Sequence, residues 1–154
     1  MNRLDPLAPI GRVLFALLFV DAALGHFKPE TVAYAQASGV PLANLAVPAS
    51  GVLALVAALS IAVGYRARWG AIGIVAFLVP VTLMMHKFWA ISDPGMAQLQ
   101  RIMFLKNVSL VGAALYLAYA GAGALSLDAR LRRRAARGDD RLDAAAAGST
   151  AYSA

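Results

Sequence analysis

The chain contains no cysteine, which excludes disulfides, thiolate metal sites and thiol nucleophiles. It also has nothing like a phosphate-binding glycine loop, a nucleophile elbow or a metal-binding histidine pair at helical spacing. No internal repeat is evident. Charge is scarce: 14% of the 154 residues are charged and 60% are apolar. The apolar residues fall in runs of about 20, the length that spans a bilayer, rather than in the scattered pattern of a soluble core.

Those runs predict an all-α fold, a polytopic membrane four-helix bundle. The spans are expected at 10–27, 45–63, 69–91 and 102–120, within a transmembrane domain covering 1–127. A short helix over 30–37 is expected in the first loop, closed by Gly39-Val40-Pro41. Ala23-Leu24-Gly25 resembles a signal-peptide cleavage site, but Asp21 interrupts the apolar stretch that cleavage needs. In the second span Ala46, Ser50, Ala54, Ala58 and Ala62 recur every four residues. Such a stripe of small residues lets a neighbouring backbone approach closely, as membrane helices require. Pro80 near the middle of the third span predicts a kink, and Ser92-Asp93-Pro94-Gly95 stops that helix. Residues 128–154 read as a basic juxtamembrane segment followed by a low-complexity, disordered tail.

The net charge of +6 is concentrated in Arg130, Arg132, Arg133, Arg134, Arg137 and Arg141, a juxtamembrane pattern and not a nucleic-acid surface. Four spans place both termini and the turn 65–68 on one side. That side collects ten lysines and arginines, including Arg3, Arg12, Arg66 and Arg68; the other has four, Lys28, Lys87, Arg101 and Lys106. The positive-inside rule therefore predicts cytoplasmic termini in a bacterial inner membrane.

With that orientation the remaining polar residues gather near the outer boundary: Asp21 and His26 from the first span, His86 from the third, Lys106 and Asn107 from the fourth. No acidic or basic residue lies in the inner half of the second, third or fourth span. A carboxylate at the depth of Asp21 is costly unless paired, so Asp21 is expected to face Lys106 or His86. Such a pair could be structural, fixing helix register, or belong to a ligand or redox site. Snorkelling to headgroups is the third reading, and suits Lys87 and Arg101 best. Phe88, Trp89 and Tyr34 fit an interfacial aromatic belt. His26 and His86 lie on the same side, but two lone histidines near an interface do not make a haem site.

Across residues 10–128 the chain resembles the DoxX family of small bacterial membrane proteins. The resemblance rests on Gly11-Arg12, Gly39-Val40-Pro41, Gly64-Tyr65-Arg66, His86-Lys87-Phe88-Trp89 and Phe104-Leu105-Lys106-Asn107, in that order. It implies a four-helix inner-membrane protein loosely associated with redox chemistry, in partnership with quinone and a redox subunit or a second copy of the chain. Lys106, Asn107 and His86 would then bind the quinone carbonyls, Asp21 would set their protonation, and Phe88 and Trp89 would flank the ring. One departure is Ala54, where many DoxX members carry a glutamate. A non-catalytic membrane scaffold or small-solute carrier using the same pocket is the alternative function.

The ten-to-four charge asymmetry yields a direct test. A reporter fused after Ala154 should be active only in the cytoplasm, and one inserted at Ser92–Gly95 only outside it. A C-terminal reporter active outside the cytoplasm would reverse the orientation.

Overall fold

The computed structural model describes residues 4–138. Five helices follow in order: α1 (Leu7–Gly25), α2 (Pro29–Ala37), α3 (Ala43–Val63), α4 (Ala67–Met85) and α5 (Pro94–Ala120). A single 3-10 turn, Phe88–Ala90, separates α4 from α5, and a further helix, α6, covers 127–138. There is no strand among the described residues. Four segments are long and apolar enough to cross a membrane: α1, α3, α4 with its 3-10 turn, and α5. The protein is a polytopic, all-helical membrane protein.

Two helix ends and one additional helix depart most from the sequence expectation, each for a local reason. α4 stops at Met85, because His86 adopts φ −119°, ψ 46° and leaves the helix. α5 starts at Pro94, about two turns earlier than the apolar run suggests. Asp93 is extended, its Oδ1 accepts the Met96 N–H at 2.7 Å, and Pro94 supplies a helical φ at the first position. The tetrapeptide that reads as a stop signal is thus also the start of the next helix. Finally, part of the basic segment is the helix α6, capped where the Ser126 hydroxyl accepts the Ala129 N–H at 3.1 Å. Arg3, Arg141 and the low-complexity tail lie outside the described residues.

The helices pack in sequence, α1 on α3, α3 on α4 and α4 on α5, leaving α1 and α5 at opposite edges of an open bundle. α3 can serve two neighbours because its contact faces are nearly featureless. Ala54 and Ala58 in the small-residue stripe are completely buried. A Cβ on Gly51 would lie 2.7 Å from the Cβ of His26, and one on Gly70 would lie 2.8 Å from the carbonyl oxygen of Ala57. Phe19, Ile61 and Ile74 fill the space between α1, α3 and α4, with Phe19 edge-on to Phe77 at 6.4 Å. Leucines such as Leu14, Leu17 and Leu105 face outward, as a lipid-exposed surface requires.

At the Gly64 end, Arg12 is the organising residue. Its guanidinium is 3% exposed and donates to the carbonyl oxygens of Ala122 and, at 2.9 Å, Leu125. It therefore acts as an internal strut, satisfying carbonyls just past the C-terminal end of α5. Gly64 (φ +73°) makes room for this arrangement: a Cβ there would lie 2.7 Å from Ser126 Cβ and 2.8 Å from the Arg12 guanidinium. Two further bonds close the joint. The Asp128 N–H donates to the Gly64 carbonyl at 3.0 Å, and Asp128 Oδ1 accepts the Arg66 N–H at 3.0 Å.

Arg12→Ala should lower stability in detergent by about 3 kcal/mol, since it strands two carbonyls that a charged donor satisfies. Arg12→Lys should recover only part of the loss, because one ammonium cannot reproduce the planar fork. Gly64→Ala should be similarly damaging without deleting a hydrogen bond. Melting curves matching the parent for all three would show that the joint is not structural.

Candidate functional site

At the opposite end, the residues expected in one polar layer separate into distinct groups. Asp21 on α1 and Lys106 on α5 are both exposed, and their helices do not pack together, so the anticipated ion pair is absent. Their positions along the helices do not match either. Asp21 is about 6 Å of helical rise from the end of α1, whereas the early start of α5 puts Lys106 about 18 Å into that helix. Asp21 is not paired with His86, whose hydrogen-bond partner is Gln100. Asn107, one position on from Lys106 and turned about 100° around the helix, is buried.

Phe88, Trp89 and Phe104 form a separate edge-to-face cluster, with centroids 5.1, 5.5 and 5.9 Å apart, clamping the 3-10 turn onto α5. Trp89 remains 59% exposed. These rings lie outside the cleft that receives the histidines.

The structure does bring His26 and His86 to a common site. Both line a cleft of about 460 Å³ between α2, α3 and α4, walled chiefly by apolar groups including Phe77, Pro80, Met84 and Met85. His26 follows the last turn of α1 and His86 follows α4, so each imidazole sits where a spanning helix ends. α2 and the loop after it cover the cleft, packing Val32 and Ala35 of the helix and Val40 of the loop against Ala43, Val47 and Met85. Two polar ties hold the cover in place: Thr31 Oγ1 donates to the Gly25 carbonyl at 2.8 Å, and Lys87 Nζ reaches the Ser38 carbonyl at 3.5 Å.

The hydrogen bonds define the chemistry that the two rings present. His26 Nδ1 lies 2.7 Å from the Ala22 carbonyl oxygen, which only accepts. Nδ1 therefore carries a proton, which leaves Nε2 as the acceptor of this tautomer. His86 Nδ1 lies 2.6 Å from the side-chain amide of Gln100, a group that can accept or donate according to the ring's tautomer. Neither Nε2 has a protein partner among the described residues. The cleft therefore has an apolar body with two imidazole rings on its lining. Gln100 reaches His86 only because α5 begins at Pro94, a signal carried by the Asp93-Pro94 cap. Gly51, which seats His26, was detectable as a glycine inside an apolar span, but its partner was not.

The model of the SURF4 family matches residues 7–133. Inner membrane protein YphA of Escherichia coli (strain K12) is 32% identical over 124 residues, 80% of this chain and 87% of that protein. Inner membrane protein YqjF of the same organism is 28% identical over 127 residues, 81% and 92% of the two chains. No solved structure matches. The DoxX resemblance is thereby corrected, because the family match lies elsewhere. Its motifs include joints of the scaffold: Gly11-Arg12 and Gly64-Tyr65-Arg66 meet at the Arg12 strut, and such joints report connectivity more than activity. Ala54 has a structural role as well, since its complete burial between helices leaves no room for a glutamate. With a match running from the first residue of α1 into α6, this chain belongs to the SURF4 family.

Proposed function

We propose that this SURF4-family protein lies in a bacterial inner membrane, as its named relatives do, with both termini in the cytoplasm. We assign it the role of a non-catalytic binding protein or carrier for a small molecule with an apolar body and a hydrogen-bonding head. The observation that supports this reading is the histidine-lined cleft under α2: about 460 Å³, apolar on most of its lining, with two imidazoles whose Nε2 atoms are unpartnered in the protein. A cavity of that size accommodates a compact ligand, and imidazole nitrogens pair well with a hydroxyl head, which both donates and accepts. A quinol has this chemistry, so quinone-class molecules remain among the candidate ligands. The electron-transfer part of the earlier reading rested on the DoxX resemblance and has no support from the residues themselves.

The test uses full-length protein in mild detergent, with thermal shift and titration against decylubiquinol, decylubiquinone and decanol. Binding of one or more is expected. His26→Ala and His86→Ala should each weaken the ligand with hydroxyl donors by up to about tenfold, the worth of one hydrogen bond. Met84→Trp, which fills the cleft, should abolish binding while leaving the fold intact. No binding of any probe, or binding indifferent to Met84→Trp, would remove the cleft as the site. Quinol oxidation that is lost in His86→Ala would replace the carrier reading with a redox one.

A further inference from the structure

A separate cleft, at the other end of the molecule near the Arg12 joint, has a different composition. It encloses about 660 Å³ and is lined by Arg66 and Arg68 from the α3–α4 turn, Arg132 and Arg133 from α6, and the 120–124 loop. Among the described residues Asp128 is the only acidic one on its wall, and one of its oxygens already accepts the Arg66 N–H. None of the four guanidinium groups is ion-paired with a carboxylate among the described residues. Four cations against one carboxylate, gathered from two separate segments, constitute a site for anionic oxygen ligands.

The neighbouring surface indicates the source of the anion. A second, nearly apolar cleft of about 540 Å³ runs along the α3–α4 groove past Leu53, Val56, Ala57, Gly70 and Gly73. The two clefts share Arg66 and Trp69 on their walls. Trp69 is 72% exposed at the start of a spanning helix, the level at which tryptophan marks the membrane–water boundary. A groove suited to hydrocarbon thus meets a basic cleft at the depth of lipid headgroups. The basic cleft shares no lining residue with the histidine site, whereas the apolar groove meets it at Leu53.

We propose that this end of the protein binds an anionic glycerophospholipid. Its phosphate is held by Arg66, Arg68, Arg132 and Arg133, and one acyl chain lies in the α3–α4 groove past Trp69. The fold creates the site by latching α6 to the Gly64 turn, which brings Arg132 and Arg133 to Arg66 and Arg68. Gly121 (φ +78°) contributes by letting Arg68 lie across the loop, where a Cβ would approach its Nε to 3.2 Å. The site is independent of membrane orientation, because it requires only that this end meet a headgroup layer.

The experiment monitors Trp69 fluorescence in a Trp89→Phe background, with the full chain in vesicles. Phosphatidylcholine vesicles are doped with acyl-brominated phosphatidylglycerol or, in parallel, acyl-brominated phosphatidylcholine. The phosphatidylglycerol should quench Trp69 saturably and at lower mole fraction. Arg68→Gln and Arg132→Gln should each reduce that preference by about fivefold, the worth of one arginine near an anionic surface. Gly73→Leu should reduce quenching by filling the groove, and it keeps the test independent of arginine variants that fail to fold. Equal quenching by the two lipids, or a preference insensitive to all three substitutions, would overturn the proposal. Displacement of phosphatidylglycerol by millimolar inorganic phosphate, with no effect of Gly73→Leu, would also overturn it, identifying a free-phosphate site instead.

Discussion

The close approach of α3 to its two neighbours is the constraint on which the rest of the molecule depends. In hydrocarbon, apolar side chains gain nothing by leaving the lipid, so helices associate through contact area and backbone proximity. Ala54, Ala58, Gly51 and Gly70 provide both, and the helix that carries or meets all four lies at the centre of the row. α1 and α5, each packed on one side only, expose the remainder of their apolar surface to lipid. This arrangement explains why a charged residue on α1 and another on α5 do not meet despite their similar expected depth.

Arg12 complements that packing with a polar constraint. A buried guanidinium in an apolar helix would be very costly alone. Here its two terminal nitrogens donate to carbonyls of a loop more than a hundred residues away, while Nε stays buried without a partner among the described residues, and the first helix and the end of the last span are fixed to each other without direct packing. The same joint latches α6 and thereby assembles the basic cleft. Structural and binding roles are coupled at this end: the groups that close the fold also determine where the free arginines stand.

The two ends differ in the ligand chemistry that they offer. The histidine cleft is apolar, covered by α2 and lined by two imidazole rings, which suits an apolar molecule with a small polar head. The opposite cleft is cationic and continuous with a hydrocarbon groove, which suits a lipid phosphate. Between them lies a core of alanine, isoleucine and phenylalanine without an acidic or basic residue. The groove and the histidine cleft adjoin at Leu53, an apolar side chain that adds no polar path between them.

The sequence by itself determined the number and approximate limits of the spans, the short helix in the first loop and the placement of small residues on α3. These follow from local hydropathy and from caps, which depend on residues a few positions apart. It also showed that His26 and His86 share one end of the molecule. Only the tertiary structure decided which polar residues meet. The early start of α5 moved Lys106 along its helix, and the direction in which a helix faces and the order in which helices pack cannot be read from a sequence; together these set Asp21 and Lys106 apart while bringing His26 and His86 to one cleft. For the same reason Arg12, which reads as one more cation beside the membrane, proved to be a buried strut: its partners are carbonyls in a distant loop, and a backbone carbonyl leaves no signature in the residue type that bears it.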